Sequence, residues 1–264
     1  MNQKENFMGW ENPGYALITG ASSGIGEAFT CRLAEQGFNL ILVARRKERL
    51  ENLSLEISKA NNIKAKVVVA DLSKLNEIQK VSSVILDTSD LDILINNAGY
   101  GIYKPYIDRD NIENAEMINV HYTAPVMLCH SAIKGMIKRK RGVIINNASG
   151  VAIARTSVIY SSTKAALTAF TEQLKIQMRK SDINFQALCP GYTYTEFHDT
   201  ETMKGCNRED FSKMYWMKAE DVVDLSLKAV KSKNVIFIPG EQNRELLKAY
   251  RKATLKKYLD CKIL

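Results

Sequence analysis

The sequence predicts an α/β protein with a doubly wound parallel sheet in a single domain. Three observations support this prediction. Short apolar runs alternate with longer helical patterns, the runs are apolar on both faces, and a glycine-rich turn follows the first of them. Strands that are apolar on both faces are typical of a parallel sheet covered by helices on each side. A regular alternation of strand and helix is typical of the doubly wound arrangement.

The alternation predicts seven strands and six helices within the domain. The strands are expected at residues 15–19, 39–43, 65–69, 91–96, 143–148, 184–188 and 234–238. The helical patterns cover residues 25–36, 47–60, 74–87, 112–138, 158–180 and 219–232. No linker or composition break interrupts the pattern, so the 264 residues are expected to share one core.

Two regions fall outside the alternation. Residues 192–218 form an insertion after the sixth strand, and residues 241–264 form a tail with seven basic and three acidic side chains. The domain is placed at residues 14–240, after an N-terminal extension of residues 1–13. The tail carries an incomplete apolar stripe (Leu246, Leu247, Tyr250, Ala253, Leu255, Tyr258 and Leu259). It could pack on the domain, on a neighbouring subunit or on an anionic membrane surface.

Composition limits the class of protein. The chain is 45% hydrophobic and 25% charged, and its net charge of +8 suits an anionic cofactor, a membrane surface, nucleic acid or a solvated lysine-rich surface. No basic motif with interleaved aromatic residues indicates nucleic-acid binding. No His, Cys and carboxylate cluster indicates a metal, and no apolar run could span a bilayer. Five cysteines without a CxxC pair, and no signal-peptide pattern, favour the cytoplasm.

The first predicted strand leads into a glycine turn, Thr19-Gly20-Ala21-Ser22-Ser23-Gly24-Ile25-Gly26, and then into a helix. Glycines let a phosphate approach the backbone, and the first N–H groups of the helix and its dipole stabilise the negative charge. Glycine spacing alone is a weak signal, but these flanks are those of a dinucleotide-binding motif. The residues expected to contact a dinucleotide are Gly20, Ser22, Ser23, Gly24, Ile25 and Gly26.

The end of the second strand, Ala44-Arg45-Arg46, bears on which dinucleotide is bound. NAD-binding folds place an acidic residue here to accept hydrogen bonds from the adenosine ribose, whereas Ala44 is uncharged. A guanidinium would pair with an adenosine 2′-phosphate, so Arg45 favours NADP(H). Alternatively, the basic run simply faces water at a helix start.

Two further strand ends are candidates for the same crevice. Asp71-Leu72 closes the third strand, where the carboxylate could accept from an adenine amino group or cap the next helix. The fourth strand runs into Asn96-Asn97-Ala98-Gly99, whose small residues leave room for a ligand at the carboxyl end of the sheet. As a bare turn, these four residues would be ordinary.

The candidate chemistry lies in Tyr160-Ser161-Ser162-Thr163-Lys164, which opens a predicted helix. Residues four apart share one helical face, so the Tyr160 phenol and the Lys164 ammonium meet. A free tyrosine titrates near pH ~10, and the ammonium, with a positive nicotinamide ring, should lower that pKa. Tyr160 is then a general acid for carbonyl reduction and a base for alcohol oxidation. Taken alone, the pair could equally lie on the surface.

Two more polar residues are expected near this pair. Ser149 ends the fifth strand, from which its hydroxyl can donate to a substrate oxygen beside Tyr160. Asn119 lies within an otherwise apolar helix, where a polar amide must be satisfied. It could hold a water that contacts Lys164, or it could bond to neighbouring backbone as a core asparagine.

Together these motifs resemble those of the short-chain dehydrogenase/reductase family. The match covers roughly residues 14–240 and includes, in the family's order, TGxxxGIG at residues 19–26, NNAG at 96–99, Asn119, Ser149, YxxxK at 160–164 and PG at 190–191. The resemblance implies a seven-stranded Rossmann-type sheet. It also implies hydride transfer to or from a nicotinamide.

The resemblance implies a role for each matched residue. Tyr160 would be the acid/base, and Ser149 would orient the substrate oxygen. Lys164 would bind the nicotinamide ribose and lower the tyrosine pKa, while Asn119 would complete a proton relay. The cofactor-binding set would be completed by Pro190, Gly191, Thr193 and Thr195, the last of these at the nicotinamide carboxamide.

One spacing departs from the family pattern. Ser149 lies eleven residues before Tyr160, and the longer spacing usual in the family would fall on Asn147. Ser149 is preferred because it stands at the carboxyl end of the fifth strand. The short loop at residues 150–159 would then form a different wall of the substrate pocket.

The substrate pocket is expected between the loops after Gly99, after Ser149 and after Tyr192. Their side chains are mostly apolar and aromatic: Tyr100, Tyr103, Tyr106, Val151, Ile153, Phe197, Met203, Phe211, Met214, Tyr215 and Trp216. Such a lining favours a lipophilic carbonyl or secondary alcohol over a sugar or phosphorylated metabolite, although many of these side chains could be core. His198 could reach the substrate, or it could be a packing residue.

The sequence therefore predicts an NADP(H)-dependent oxidoreductase that acts through Tyr160 on a lipophilic ketone, aldehyde or secondary alcohol. The alternative is a non-catalytic NADP(H)-binding sensor or scaffold, which the intact set of Ser149, Tyr160 and Lys164 argues against. The resemblance also implies a homo-oligomer, a dimer or tetramer, assembled through the helices at residues 112–138 and 158–180. No nucleic-acid partner is expected.

Overall fold

The computed structural model describes residues 6–154 and 157–259. Its strands are β1 Tyr15–Thr19, β2 Asn39–Ala44, β3 Ala65–Val69, β4 Leu91–Asn96, β5 Gly142–Asn147, β6 Ile183–Leu188, β7 Thr193–Tyr194, β8 Met217–Lys218 and β9 Ile236–Phe237. All except β7 and β8 form one parallel sheet in the order β3-β2-β1-β4-β5-β6-β9. The predicted Rossmann-type, doubly wound, seven-stranded fold is confirmed.

Helices cover both faces of the sheet. They are α1 Gly24–Ala34, α2 Lys47–Asn61, α3 Leu75–Asp87, α4 Asn111–Ile118, α5 Ala124–Arg139, α6 Val151–Ala154, α7 Val158–Gln177, α8 Ala219–Ala229 and α9 Glu241–Leu259. The one-turn helix α6 was not predicted. The strand order reverses between β1 and β4, and open sheets of this kind bind ligands outside the carboxyl ends of their strands at such a point.

Two hydrophobic cores lie on opposite faces of the sheet. Ile18 of β1 packs on one side with Phe29 of α1 and Val222 of α8, all fully buried. Its neighbour Leu17 faces the other side and packs with Leu128 of α5. Alternate side chains of a strand point to opposite faces, which explains why the strands read as continuous apolar runs.

The helix predicted at residues 112–138 is interrupted. Asp110 and Glu113 form a capping box at the start of α4, and a π turn at Asn119–Thr123 then separates α4 from α5. The Ala124 N–H donates to the Asn119 carbonyl, five residues back. Pro125 has no N–H to donate to the residue four earlier, and its ring would crowd a regular turn, so the wider turn accommodates it.

The insertion and the tail both fold against the domain. β7 and β8 pair in parallel, with Thr193 opposite Met217, and so join the two ends of the insertion at residues 192–218. In α9, Leu247 is buried beside Gly150. The predicted packing of the tail on the domain is therefore observed for this part of the helix. Residues 260–264, and the side chains of Leu255, Tyr258 and Leu259, lie outside the described residues.

The described residues also show the state of the cysteines, of potential metal ligands and of the apolar helices. Cys31, Cys129, Cys189 and Cys206 are free thiols. Across residues 6–154 and 157–259, no three His, Cys, Asp or Glu side chains come together as a metal site. None of the helices in these ranges combines the length and the apolar character needed to cross a membrane.

Candidate active site

The glycine turn between β1 and α1 forms a cradle for an anion. Gly20 and Gly24 have left-handed φ angles of +65° and +56°, and a Cβ on Gly26 would lie 2.1 Å from the Gly20 carbonyl oxygen. Within the described residues, the Ser23 side chain does not cap the first turn of α1. The N–H groups of that turn are therefore available, and the cradle fits the pyrophosphate of a dinucleotide.

The guanidinium that reaches the glycine turn belongs to Arg46. Its Nη2 donates to Ser22 Oγ at 3.0 Å and to Ser23 Oγ at 2.9 Å, and its Nε lies 3.3 Å from Ser22 Oγ. The side chain of Arg45, the arginine that the sequence favoured, is exposed. Both cations follow the uncharged Ala44, so the end of β2 is positively charged, as predicted.

Asp71 lies in the turn after β3. Its Oδ1 accepts from the Ser73 N–H at 3.0 Å, and Leu72 beside it is buried. The N-cap of α3 is Lys74, and within the described residues no side chain caps that helix, so the helix-capping alternative for Asp71 is wrong. A contact of Asp71 with adenine stays a prediction.

The turn after β4 is tied to β1. Thr19 Oγ1 accepts from the N–H groups of Asn97 at 2.9 Å and Ala98 at 3.0 Å. Asn97 Nδ2 donates in return to the carbonyls of Thr19 and Gly20 at 3.1 and 3.3 Å. These bonds hold Asn97, Ala98 and Gly99 against the glycine turn, so the two predicted cofactor segments form one wall of the crevice.

Lys164 is buried beside this wall. Its Nζ donates to the Asn147 carbonyl at 2.7 Å, while Asn147 Nδ2 donates to Asn97 Oδ1 at 2.8 Å. Burial lowers the pKa of Lys164 to about 8. Desolvation favours the uncharged amine, yet the side chain stays largely protonated at neutral pH and can present its ammonium to the crevice.

Tyr160 and Ser149 meet as predicted. The Ser149 hydroxyl lies beside the phenol, and Lys164 Nζ lies 5.8 Å from the centroid of the Tyr160 ring. Burial raises the pKa of Tyr160 to about 12, and the neighbouring Ser149 hydroxyl opposes only part of that rise. The lowering expected from Lys164 is not found in the protein alone, because the Lys164 ammonium points to the Asn147 carbonyl and burial dominates.

The geometry favours Ser149 over Asn147 as the partner of Tyr160. The Asn147 side chain points to Asn97, on the next strand, and not to the phenol. Ser149 lies two residues later, beyond the end of β5, where its hydroxyl reaches Tyr160. The short spacing noted in the sequence therefore does not displace the serine.

Asn119 opens the π turn and bonds to backbone. Its Nδ2 donates to the Ser73 carbonyl at 2.9 Å, so the core-asparagine alternative describes its side chain. Within the described residues, no hydrogen bond joins Asn119 to Lys164. Its part in a proton relay stays a prediction.

His121 is a site residue that the sequence reasoning missed. It is fully buried, its Nε2 accepts from the Tyr100 N–H at 3.1 Å, and its Nδ1 therefore carries the proton toward Thr163 Oγ1 at 3.2 Å. Burial, reinforced by Lys164, lowers the pKa of His121 well below its usual value. A histidine two residues after Asn119, in an apolar helix, was the available signal, but only His198 was considered.

The segment after β6 approaches the glycine turn. The Pro190 carbonyl accepts from the Gly150 N–H at 2.8 Å, and Thr193 Oγ1 donates to the Gly191 carbonyl at 3.2 Å. A Cβ on Gly24 would lie 2.8 Å from Thr195 Cγ2. Thr195, which is predicted to contact the nicotinamide carboxamide, thus packs against Gly24 of the glycine turn.

Seven residues of the predicted substrate lining fall into three groups. Phe197 packs edge-on to Tyr160, with ring centroids 6.0 Å apart, and Phe197 and Met203 both contact Gly101. These residues lie at the candidate site. A second group is exposed and points away from the core: Tyr103, Tyr106 and Met214 are 57%, 51% and 60% exposed.

The third group is an aromatic cluster inside the insertion. Trp216 stacks on Tyr192 with centroids 5.3 Å apart, and Phe211 lies 4.4 Å from the same ring. His198 lies 5.0 Å from Trp216, and burial, with the nearby Arg208 charge, lowers its pKa. His198 is therefore a packing residue of this cluster, as the alternative interpretation held.

Comparison with known proteins gives three consistent matches. A family model described as short chain dehydrogenase matches residues 14–204. An uncharacterized oxidoreductase of Staphylococcus epidermidis is 31% identical over 212 residues, which cover 79% of this chain and 87% of that protein. A solved structure of a short-chain dehydrogenase from Sphingobium yanoikuyae in complex with NADPH has a TM-score of 0.81 at 27% identity, covering 95% of this chain and 97% of that one.

A further relative is described as inactive. The human inactive hydroxysteroid dehydrogenase-like protein 1 is 32% identical over 187 residues. The matched part covers 69% of this chain and 56% of that protein. The similarity thus extends to a protein described as inactive.

Proposed function

The chain belongs to the short-chain dehydrogenase/reductase family of oxidoreductases, which bind a nicotinamide cofactor, and we propose that it is an NADP(H)-dependent reductase of lipophilic ketones or aldehydes. One observation carries the proposal. The Tyr160 phenol lies beside the Ser149 hydroxyl, and Lys164, on the same helical face, is linked through Asn147 and Asn97 to the glycine turn. This set of groups suits proton transfer to a carbonyl oxygen.

Each side chain has a defined part in the reaction. A reduced nicotinamide, when bound, supplies the hydride that a carbonyl carbon accepts. Tyr160 donates its phenolic proton to the carbonyl oxygen, and the Ser149 hydroxyl donates a hydrogen bond to the same oxygen as negative charge develops there. Lys164 places a positive charge beside the crevice, where it would hold the nicotinamide ribose and stabilise the phenolate left on Tyr160.

The pKa of Tyr160 suits the proton donation that reduction requires. At a pKa of about 12, the phenol is protonated at neutral pH and ready to act as an acid. Oxidation of an alcohol would begin from the phenolate, which burial disfavours. A secondary alcohol remains a substrate of the reverse reaction, and that reaction should become faster as pH rises.

The charge at the end of β2 supports a preference for NADP(H). Ala44 provides no carboxylate to repel a phosphate, and Arg45 and Arg46 follow it. The structurally similar Sphingobium yanoikuyae enzyme was solved with NADPH. Phe197 lies beside Tyr160 and meets Met203 at Gly101. These two side chains support a lipophilic substrate, because they offer apolar surface and no partner for a charged group.

The wider setting extends the proposal. Exposed apolar side chains on α4 and α7, including Ile112 at 67% and Val158 at 55%, support a homo-oligomer, a dimer or tetramer, through those helices.

The proposed domain remains residues 14–240, with the insertion at 192–218 and the tail from 241. The free cysteines support the cytoplasm as its location. Contact of the basic tail with a membrane remains the minor alternative.

A second candidate function is a non-catalytic NADP(H)-binding sensor or scaffold. The relative described as inactive is the observation that favours it. The two functions differ in one measurable property, which is turnover in the presence of a carbonyl compound.

The test is a turnover assay with the purified full-length protein. NADPH absorbance is followed with a panel of bulky lipophilic ketones and aldehydes, and with sugars as polar controls. We expect NADPH consumption with members of the lipophilic set and none with the sugars. NADPH binding without consumption across the panel would instead identify the sensor.

A further inference from the structure

Residues 195–197 cross the predicted cofactor crevice from one end to the other, and we call them the crossing segment. Thr195 packs against Gly24 of the phosphate cradle, and Phe197 packs against Tyr160. Glu196, between them, reaches the arginines at the end of β2 and the start of α2. Three consecutive residues thus touch three different parts of the candidate site.

Glu196 bridges two arginines with its two carboxylate oxygens. Arg46 Nη1 lies 2.5 Å from Oε1, and Arg49 Nη1 lies 2.8 Å from Oε2. Burial opposes the charged carboxylate, but hydrogen bonds from Arg49, Ser23 and Arg46 outweigh it and lower the pKa of Glu196. Glu196 is therefore an anion at neutral pH, held between two cations.

The contacts of Arg46 leave little of its guanidinium free to bind another anion. Its Nε and Nη2 already donate to Ser22 and Ser23 of the glycine turn, and its Nη1 pairs with Glu196. All three nitrogens of the guanidinium therefore have a partner. A second anion at this arginine must share or replace the Glu196 carboxylate.

The crossing segment fixes Glu196 in this position. Thr195 Oγ1 accepts from the Phe197 N–H at 3.2 Å, and the Thr195 carbonyl accepts from Arg208 at 2.7 Å. The residues on either side of Glu196 are thus held by contacts of their own.

We propose that Glu196 is a specificity-determining residue, which competes with the adenosine 2′-phosphate of the cofactor for Arg46 and Arg49. The proposal rests on the proposed NADP(H) function. Arginine binds carboxylate and phosphate through the same planar donors, so the two anions are direct rivals for these side chains. Glu196 then lowers the affinity for the phosphorylated nucleotide and eases its release, and product release limits turnover in many enzymes.

The three side chains are partly exposed, so a phosphate can displace the Glu196 carboxylate from the arginines. Arg46, Arg49 and Glu196 are 41%, 55% and 38% exposed, and ion pairs at such positions are weak. A phosphate carries more negative charge than a carboxylate and can take the place of Glu196 in these ion pairs. Removing the carboxylate should therefore raise the affinity for a 2′-phosphate roughly three- to tenfold, the range expected for two exposed ion pairs.

The experiment uses two probes that lack the nicotinamide. Adenosine 2′,5′-bisphosphate and adenosine 5′-monophosphate are titrated into the full-length protein by calorimetry, with Glu196→Gln as the variant. Glu201→Gln is the matched control, because Glu201 lies in the same insertion, is 87% exposed and pairs only with Lys204 within the described residues. We expect Glu196→Gln alone to bind the bisphosphate more tightly, with little change for the monophosphate.

Two results would overturn the inference in different ways. If the wild type prefers the bisphosphate but Glu196→Gln gains nothing, or loses affinity, Glu196 does not compete and only this inference fails. If the wild type and Glu196→Gln both bind the two nucleotides equally, the proposed preference for NADP(H) fails together with it.

Discussion

His121 stands edge-on to Tyr160, with ring centroids 5.2 Å apart and ring planes at 89°. The same imidazole joins the loop after β4 to α7, because it accepts from the Tyr100 N–H and donates to Thr163. Burial keeps it uncharged. His121 therefore holds the first turn of α7, which carries Tyr160, against the wall of the cofactor crevice.

Replacement of this imidazole should impair the chemistry more than substrate binding. His121→Phe keeps an aromatic edge beside Tyr160 but removes both hydrogen bonds and leaves the Tyr100 N–H without a partner. We expect kcat to fall roughly tenfold with a smaller change in KM, because Tyr160 is less well positioned. His130→Phe on the exposed side of α5 is the control in steady-state assays. Equal kcat values for the two variants would show that His121 does not position Tyr160.

We expect Ser149 to act with Tyr160 in catalysis, although it lies only eleven residues before the tyrosine. Ser149→Ala removes the hydroxyl that would stabilise the developing charge on the carbonyl oxygen, so kcat should fall about 10²-fold. The affinity for NADPH, measured by its fluorescence, should change little. Asn147→Ala tests the longer spacing, because that side chain bonds to Asn97 and not to Tyr160. A larger loss of kcat in Asn147→Ala than in Ser149→Ala would reverse the assignment.

Lys164 should make stability depend on pH. Burial lowers its pKa from 10.5 to about 8, so between these values the unfolded chain holds a proton that the folded protein has lost. The free energy of unfolding of the wild type should therefore rise with pH across this interval, relative to Lys164→Met, by up to roughly 3 kcal/mol. Below the folded pKa both states are protonated and the penalty for burying the charge is complete.

Urea unfolding of both proteins at about pH 7.5 and about pH 9.5 measures this difference, since other titrating groups are common to the two. A constant gap between wild type and Lys164→Met across these conditions would mean that the buried lysine keeps an ordinary pKa.

Arg45 should discriminate between the two nicotinamide cofactors. Its side chain is exposed at the end of β2, next to the arginine that Glu196 holds. Arg45→Ala should weaken NADPH binding roughly tenfold and NADH binding much less, because only NADPH carries the 2′-phosphate. Lys47→Ala, at an exposed position of α2, controls for a general loss of positive charge. Equal losses for the two cofactors would reject the assignment.

Local patterns in the sequence were enough to predict the sheet and much of the candidate site. The apolar runs predicted β1, β3 and β4 at their observed ends. In β1 and β4 almost every residue is buried, and strands buried on both faces carry an uninterrupted signal. The i, i+4 spacing placed Tyr160 and Lys164 on one face of α7, since helix geometry alone decides it.

Contacts between segments far apart in the chain could not be predicted from the sequence. The bond between Glu196 and Arg46 joins residues 150 positions apart, and nothing in either segment indicates the other. The role of His121 likewise depends on where the loop after β4 meets α7. The choice between Arg45 and Arg46 depends on side-chain direction at the end of β2, which a basic run does not specify. The break in the helix at residues 119–123, by contrast, had a visible signal in Pro125.

The most direct measurement compares Tyr160→Phe with the wild type, using a lipophilic ketone that the wild type reduces. NADPH oxidation by Tyr160→Phe should fall about 10³-fold, because the phenolic proton has no substitute, while the affinity for NADPH is retained. Tyr103→Phe, at a tyrosine that is 57% exposed, should keep full activity. A fully active Tyr160→Phe that still binds NADPH would contradict the assignment of Tyr160 as the proton donor.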